Sequence, residues 1–330
     1  MPVKEGIIFK RPWYLPNGHL ESIYPAVFRK VNGLPWQRQR LELADGDFLD
    51  IDWLRSGHGR LVVLSHGLEG DSRRQYMAGM ARLFFEHGWD VLAWNNRSCS
   101  GEMNRNPRMY HHGDIEDLGT VVKHGIASGD YEAVVLVGFS MGGNQTLKYL
   151  GVMGADVPAP VVGGVAFSAP TDLEAGAAIL DRPENIIYKR RFLHYLSKKM
   201  RVKAEQFPGL IPVERLSQVK HWREFDEWIS APLNGYRDAA HFYRESSAAN
   251  FMAGTRVPVL LVQAANDPIL PPACYPVELC ARHRLIHLEI TRYGGHVGFL
   301  QQGSRDAWSE WRALQFANSL VGQPAKSQLE

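Results

Sequence analysis

From residue 60 to residue 170 the chain repeats one theme: a short apolar run rich in β-branched residues, then a longer segment with apolar positions at helical spacing. RLVVLSHG (60–67) leads into a predicted helix over about 74–87, and DVLAWNNR (90–97) into one over about 114–127. EAVVLVGFS (132–140) precedes a helix ending near residue 151, and VVGGVAFSA (161–169) follows. VPVLLVQA (257–264) and RLIHLEI (284–290) resume the theme, and a helix near 304–321 closes the pattern. Continuous apolar runs, without alternation, mark strands covered on both faces, as in a parallel sheet flanked by helices. LELADGDFLDIDW (41–53) differs: two alternating stretches flank Asp45-Gly46, which predicts a hairpin within 36–55. The pattern as a whole predicts an α/β fold built on a mostly parallel, eight-stranded sheet.

The alternation stops at Pro170. Residues 171–250 carry helical patterns without an apolar strand run, which predicts a helical cap inserted into the core. The core then comprises 1–170 and 251–330, beginning with an extended arm over 1–35 and ending in a frayed QPAKSQLE tail. Apolar residues at 45% and charged residues at 22% are those of an ordinary globular chain with a substantial core. A net charge of 37 − 35 = +2 gives no reason to expect a nucleic-acid partner. The first twenty residues lack the apolar segment of a signal peptide, and no stretch approaches the roughly 18 apolar residues of a membrane span. Cys99, Cys274 and Cys280 are odd in number and lack metal-ligand spacing. Together these features predict a cytoplasmic protein with no metal or organic cofactor.

Candidate chemistry centres on Gly138-Phe139-Ser140-Met141-Gly142. The motif G-x-S-x-G sits where a strand runs into a helix, the context in which a sharp turn presents a serine as nucleophile. A serine hydroxyl needs a base, and His296, between glycines in Tyr293-Gly294-Gly295-His296-Val297-Gly298-Phe299, follows the last strand. Two carboxylates occupy strand ends and are able to orient that imidazole. Asp267 fits the chain order Ser, Asp, His, whereas Asp172 is placed to cap the first helix of the insertion, so Asp267 is the preferred third member. The oxyanion donors expected are the backbone N–H groups of Met141, next to the nucleophile, and of Leu68, in the loop His66-Gly67-Leu68-Glu69-Gly70 after the first parallel strand.

These stretches resemble the YheT-like branch of the α/β-hydrolases, which also includes eukaryotic membrane-associated lipases and phospholipases. The resemblance rests on Trp13-Tyr14-Leu15-Pro16-Asn17-Gly18-His19-Leu20, His66-Gly67-Leu68-Glu69-Gly70-Asp71-Ser72 and Asn96-Arg97-Ser98-Cys99-Ser100-Gly101-Glu102. It continues through Tyr110-His111, Phe225-Asp226, Gly235-Tyr236-Arg237-Asp238-Ala239, Asn266-Asp267-Pro268 and the glycine-rich segment around His296. Ser98 departs from the pattern, in which glycine follows the arginine. The resemblance implies an α/β-hydrolase fold and an esterase-type activity whose triad falls on Ser140, Asp267 and His296. The expected substrate is a small-molecule or lipid-like ester. An acyltransferase using the same triad, and a non-catalytic binding module of the same fold, are the alternatives. Tyr188 to Lys203 holds seven Lys/Arg and no acid. It reads as a cap helix with a packed apolar stripe and a solvated basic face, or, more sharply, as a contact with anionic lipid head groups or acyl carboxylates through residues such as Lys198 and Lys199.

Overall fold

Every apolar run becomes a strand of one sheet in the computed structural model of the chain, which describes residues 2–322. In chain order the strands are β1 (Val3–Ile7), β2 (Gln37–Glu42), β3 (Phe48–Leu54), β4 (Arg60–Ser65), β5 (Asp90–Trp94), β6 (Ala133–Phe139), β7 (Val161–Phe167), β8 (Val259–Ala264) and β9 (Ile286–Thr291). In space they lie in the order β1-β9-β8-β7-β6-β4-β5-β3-β2. The β2/β3 and β3/β5 pairs are antiparallel and all others parallel. The Asp45-Gly46 turn joins β2 to β3, with Gly46 at φ +80°.

The sheet has nine strands where eight were expected. The additional strand is β1, which adds to the edge in parallel register, Val3 beside Leu288. Its sequence, VKEGI, is charged and largely solvated, so no apolar pattern marks it. The N-terminal segment is also not simply an extended arm, because it contains α1 (Gly18–Phe28), capped by the Asn17 side chain accepting from the Leu20 N–H. The QPAKSQLE segment lies outside the described residues.

Successive residues of the central strands pack to opposite sides. Val62, Leu64, Val135 and Val137 join one core with α2 (Gln75–Glu86) and the C-terminal helix Trp308–Leu320. Leu61, Val63, Val134 and Leu136 join another with α3 (Glu116–Ala127) and α4 (Met141–Met153). At about 1.5–3 kcal/mol for each large apolar side chain withdrawn from water, these two layers dominate the stability of the fold.

Between β7 and β8 the described residues are helical and irregular, including α5 (Leu173–Leu180), α6 (Ile186–Gln206) and the helix Ala239–Ser246. A third cluster holds them together, with Leu180, Leu196, Trp222, Phe225 and Phe242 packed alongside Met141 and Ile269 of the sheet's C-terminal edge. The helical layer therefore rests on the turn that follows β6. Among the described residues no helix is long and apolar enough to cross a membrane.

Candidate active site

Ser140 occupies the turn between β6 and α4 with φ 53° and ψ −118°, a conformation that L-residues avoid. Its N–H donates to the Phe167 carbonyl at 2.8 Å, which ties the turn to the neighbouring strand. Gly142 is required by close approach: a Cβ there would lie 2.3 Å from the Ser65 carbonyl oxygen. The serine hydroxyl thus stands clear of the sheet at a helix N-terminus, whose positive end favours negative charge.

His296 approaches from the loop after β9. Its Nε2 is 2.9 Å from Ser140 Oγ and its Nδ1 is 2.8 Å from Asp267 Oδ2. The arrangement suits an Nδ1–H donating to the carboxylate and an Nε2 accepting from the serine. Asp267, just past β8, has a fully buried carboxylate whose Oδ1 accepts from the Ile269 N–H at 2.9 Å. Three residues drawn from separate loops of the sequence are brought into one hydrogen-bonded series. Asp172 takes no part in it; its carboxylate accepts from the Ala175 N–H at 3.0 Å and caps α5.

The loop after β4 runs against the serine, so closely that a Cβ on Gly67 would lie 3.1 Å from Ser140 Cβ. His66 supports the loop from below: Nδ1–H donates to the Gly67 carbonyl at 2.7 Å, and Nε2 accepts from the Asn96 N–H at 3.0 Å. Burial pushes its pKa down to about 4, so the ring is neutral. The amides of Leu68 and Met141, the expected oxyanion donors, donate to no other group among the described residues. Glu69 follows at φ 54°. Its carboxylate accepts from the Tyr110 hydroxyl and from Lys199 Nζ of α6, the latter at 2.8 Å.

That last contact revises the reading of the basic segment. Of its seven Lys/Arg, Lys189, Lys199 and Lys203 turn inward, to Asp181, to Glu69 and to the Asn104 and Asn106 carbonyls, while Arg190, Arg191, Lys198 and Arg201 stay exposed. Lys199 belongs to an ion pair beneath the helix and not to a solvated face.

Glu21, Ser22 and Asn266 went unassigned in the sequence, yet they hold the histidine loop. Ser22 Oγ accepts from the His296 N–H at 2.7 Å and donates to the Gly18 carbonyl at 2.5 Å. Glu21 Oε2 accepts from the Gly294 N–H at 2.7 Å and from Asn266 Nδ2 at 2.8 Å. Asn266 Oδ1 in turn accepts from the Gly295 N–H at 3.0 Å. A Cβ on Gly18 would lie 1.8 Å from the Asn266 carbonyl oxygen, so α1 docks only if that residue is glycine. The stretch Asn17-Gly18-His19-Leu20 was visible as a motif; what it touches was not.

A cavity opens beside Ser140 and His296, walled mainly by α5, α6 and the rest of the helical layer, with Leu173, Ala177, Leu180 and Phe192 among its lining. On another side of the same serine a second opening is bordered by Arg74, Tyr188 and Arg191.

Residues 62–308 match the model of a family described as the alpha/beta hydrolase family. YheT of Escherichia coli (strain K12) is 33% identical over 290 residues, covering 86% of this chain and 84% of that one. The phospholipase ABHD3 of Mus musculus is 28% identical over 276 residues, covering 81% of this chain and 67% of that one. Among solved structures, the Pyrococcus furiosus esterase Pf2001 superposes with a TM-score of 0.58 at 17% identity, over 89% of this chain and 96% of that one, a likeness of fold. With its sheet, its strand-to-helix serine turn and these relatives, the chain belongs to the alpha/beta hydrolase family, in the branch that includes YheT.

Proposed function

We propose that the protein is a serine hydrolase of carboxylic esters that works through an acyl-enzyme. The observation that carries this reading is the hydrogen-bonded series from Ser140 Oγ to His296 to Asp267, with spacings of 2.9 and 2.8 Å, starting from a strained turn beside a cavity. In the first half-reaction Ser140 Oγ bonds to the ester carbonyl carbon while its proton passes to His296 Nε2. Asp267 holds the imidazole in the correct tautomer and stabilises the imidazolium that forms. The amides of Leu68 and Met141 receive the oxyanion. The C–O bond to the alcohol then breaks, and the departing oxygen takes the proton from His296. In the second half, water gives its proton to His296 and attacks the acyl carbon, and the Ser140 oxygen leaves with that proton restored. Residues 171–250 act as a cap that shapes the acyl side. Likeness to a phospholipase and the apolar cavity lining favour a small or lipid-like ester.

Ser140→Ala tests the reading. The variant is expected to melt within a few degrees of the parent, to lose p-nitrophenyl butyrate hydrolysis by roughly 10⁴-fold or more, and to escape fluorophosphonate labelling. Undiminished turnover would overturn the mechanism.

A further inference from the structure

A hydrocarbon chain would suit most of the cavity beside Ser140, but not all of it. Among Leu173, Ala177, Leu180 and Phe192 the same cavity is lined by Asp226, Tyr243 and His112. These come from three separate segments and converge on one space. Asp226 opens a single π-helical turn, Asp226–Ser230, and is 5% exposed. Turns of that type are rare and recur at functional sites. Its Oδ2 accepts from the Tyr243 hydroxyl at 2.8 Å. Ser230 and Trp222, its other polar neighbours, are uncharged as well. No Lys, Arg or His among the described residues pairs with it. Burial raises its pKa to about 6, so at neutral pH the cavity lining includes a carboxylate held out of water with no counterion. The His112 ring, kept neutral by burial with a pKa pushed down to about 4, makes no hydrogen bond to another described residue. A pocket selected only for methylene groups would gain nothing from these three side chains, since a carboxylate without a counterion and an imidazole without a partner penalise a bare hydrocarbon placed against them.

We propose that the cavity is a subsite for acyl groups carrying a terminal hydroxyl, which donates to Asp226 and faces His112 while the methylenes pack on Leu173, Ala177 and Leu180. The assignment rests on Ser140 being the acylated residue. It makes the protein selective for ω-hydroxyacyl esters over plain acyl esters of equal length. A hydrogen-bonding site discriminates against the analogue that lacks the hydroxyl far more strongly than an apolar pocket discriminates by one methylene.

The test is kcat/KM of the full chain at neutral pH for p-nitrophenyl esters of unbranched acids from butanoate to decanoate and for their ω-hydroxy counterparts. At one chain length or more the ω-hydroxy ester should win by about tenfold or better. Asp226→Leu, Asp226→Asn and Tyr243→Phe should each lower that ratio at least fivefold, read within one preparation against the plain ester as reference. Plain esters preferred at every length, or a ratio unchanged within twofold in both Asp226 variants, would overturn the subsite while leaving ester hydrolysis intact. Should the leucine variant fail to fold, the parent series and the isosteric asparagine variant decide. Hydrolysis of neither series, with Ser140 unlabelled by fluorophosphonate, would overturn the esterase reading and the subsite together.

Discussion

Ser140 sits at φ 53° with ψ −118°, and such a backbone costs of order 1–3 kcal/mol for a residue with a side chain. The cost follows from the Cβ and not from the hydroxyl. Ser140→Gly should therefore melt higher than Ser140→Ala, by about 1 kcal/mol or more in a denaturant titration; equal stability would show that the turn is relaxed. At this scale Ser140, Asp267 and His296 were legible because each carries its own local mark: a serine between glycines, an acid just past a strand, a histidine between glycines. Glu21 and Ser22 were not. Their partners, Gly294 and His296, lie 273 and 274 positions away, and nothing in the local sequence of α1 names them.

Among the elements, α6 couples the helical layer to the loop after β4. Lys199 Nζ meets Glu69 at 2.8 Å, one residue beyond the Leu68 amide, and the pair is largely buried. Removing the lysine leaves the Glu69 carboxylate without its cation and frees a loop that is already strained at Glu69. Lys199→Met is expected to lower kcat by about tenfold, or 1.4 kcal/mol of barrier, with KM changed less than twofold, and Lys199→Arg to restore most of the loss. Steady-state kinetics on one ester decide the matter. A raised KM at unchanged kcat would instead assign the pair to substrate binding. Periodicity marked α6 as a helix with an apolar stripe, as the structure has it, but charge pattern alone marks all its basic residues as alike. Which of them turn inward depends on Asp181, Glu69 and the carbonyls of Asn104 and Asn106, which come from other segments. β1 escaped notice for a related reason: an edge strand needs neighbours, not an apolar sequence.

For the whole molecule, protonation and stability are linked in part through three histidines, two of them buried and His112 partly so. Burial pushes the pKa of His66, His111 and His112 down to about 4, 3 and 4, against about 6.5 in the unfolded chain. The unfolded state then binds more protons below about pH 6.5, and stability falls as pH drops through that window by up to about 1.4 kcal/mol per pH unit for each proton. Asp117 and Asp226, raised by burial to about 6, act in the opposite sense: the folded state protonates them first as pH falls below 6. Asp114 and Glu310, also raised by burial, act in that same opposing sense, and Asp226→Asn, which removes one opposing group, should lose Tm relative to the parent as pH falls below 6. Identical melting curves for parent and variant across that range would refute the balance. The mostly parallel sheet and its buried strands were legible at this scale because continuous apolar runs have few other places to go. The closure between the two chain ends was not, since α1 and the His296 loop become neighbours only after everything between them has folded. That closure also sets a clock. On a ribosome Ser140 emerges well before His296, and Glu21 and Ser22 wait without partners until the last strand and its loop are released. On this reading the nascent chain carries an inert hydroxyl until the His296 loop is released, and hydrolytic power arrives in a single step once that loop docks on α1.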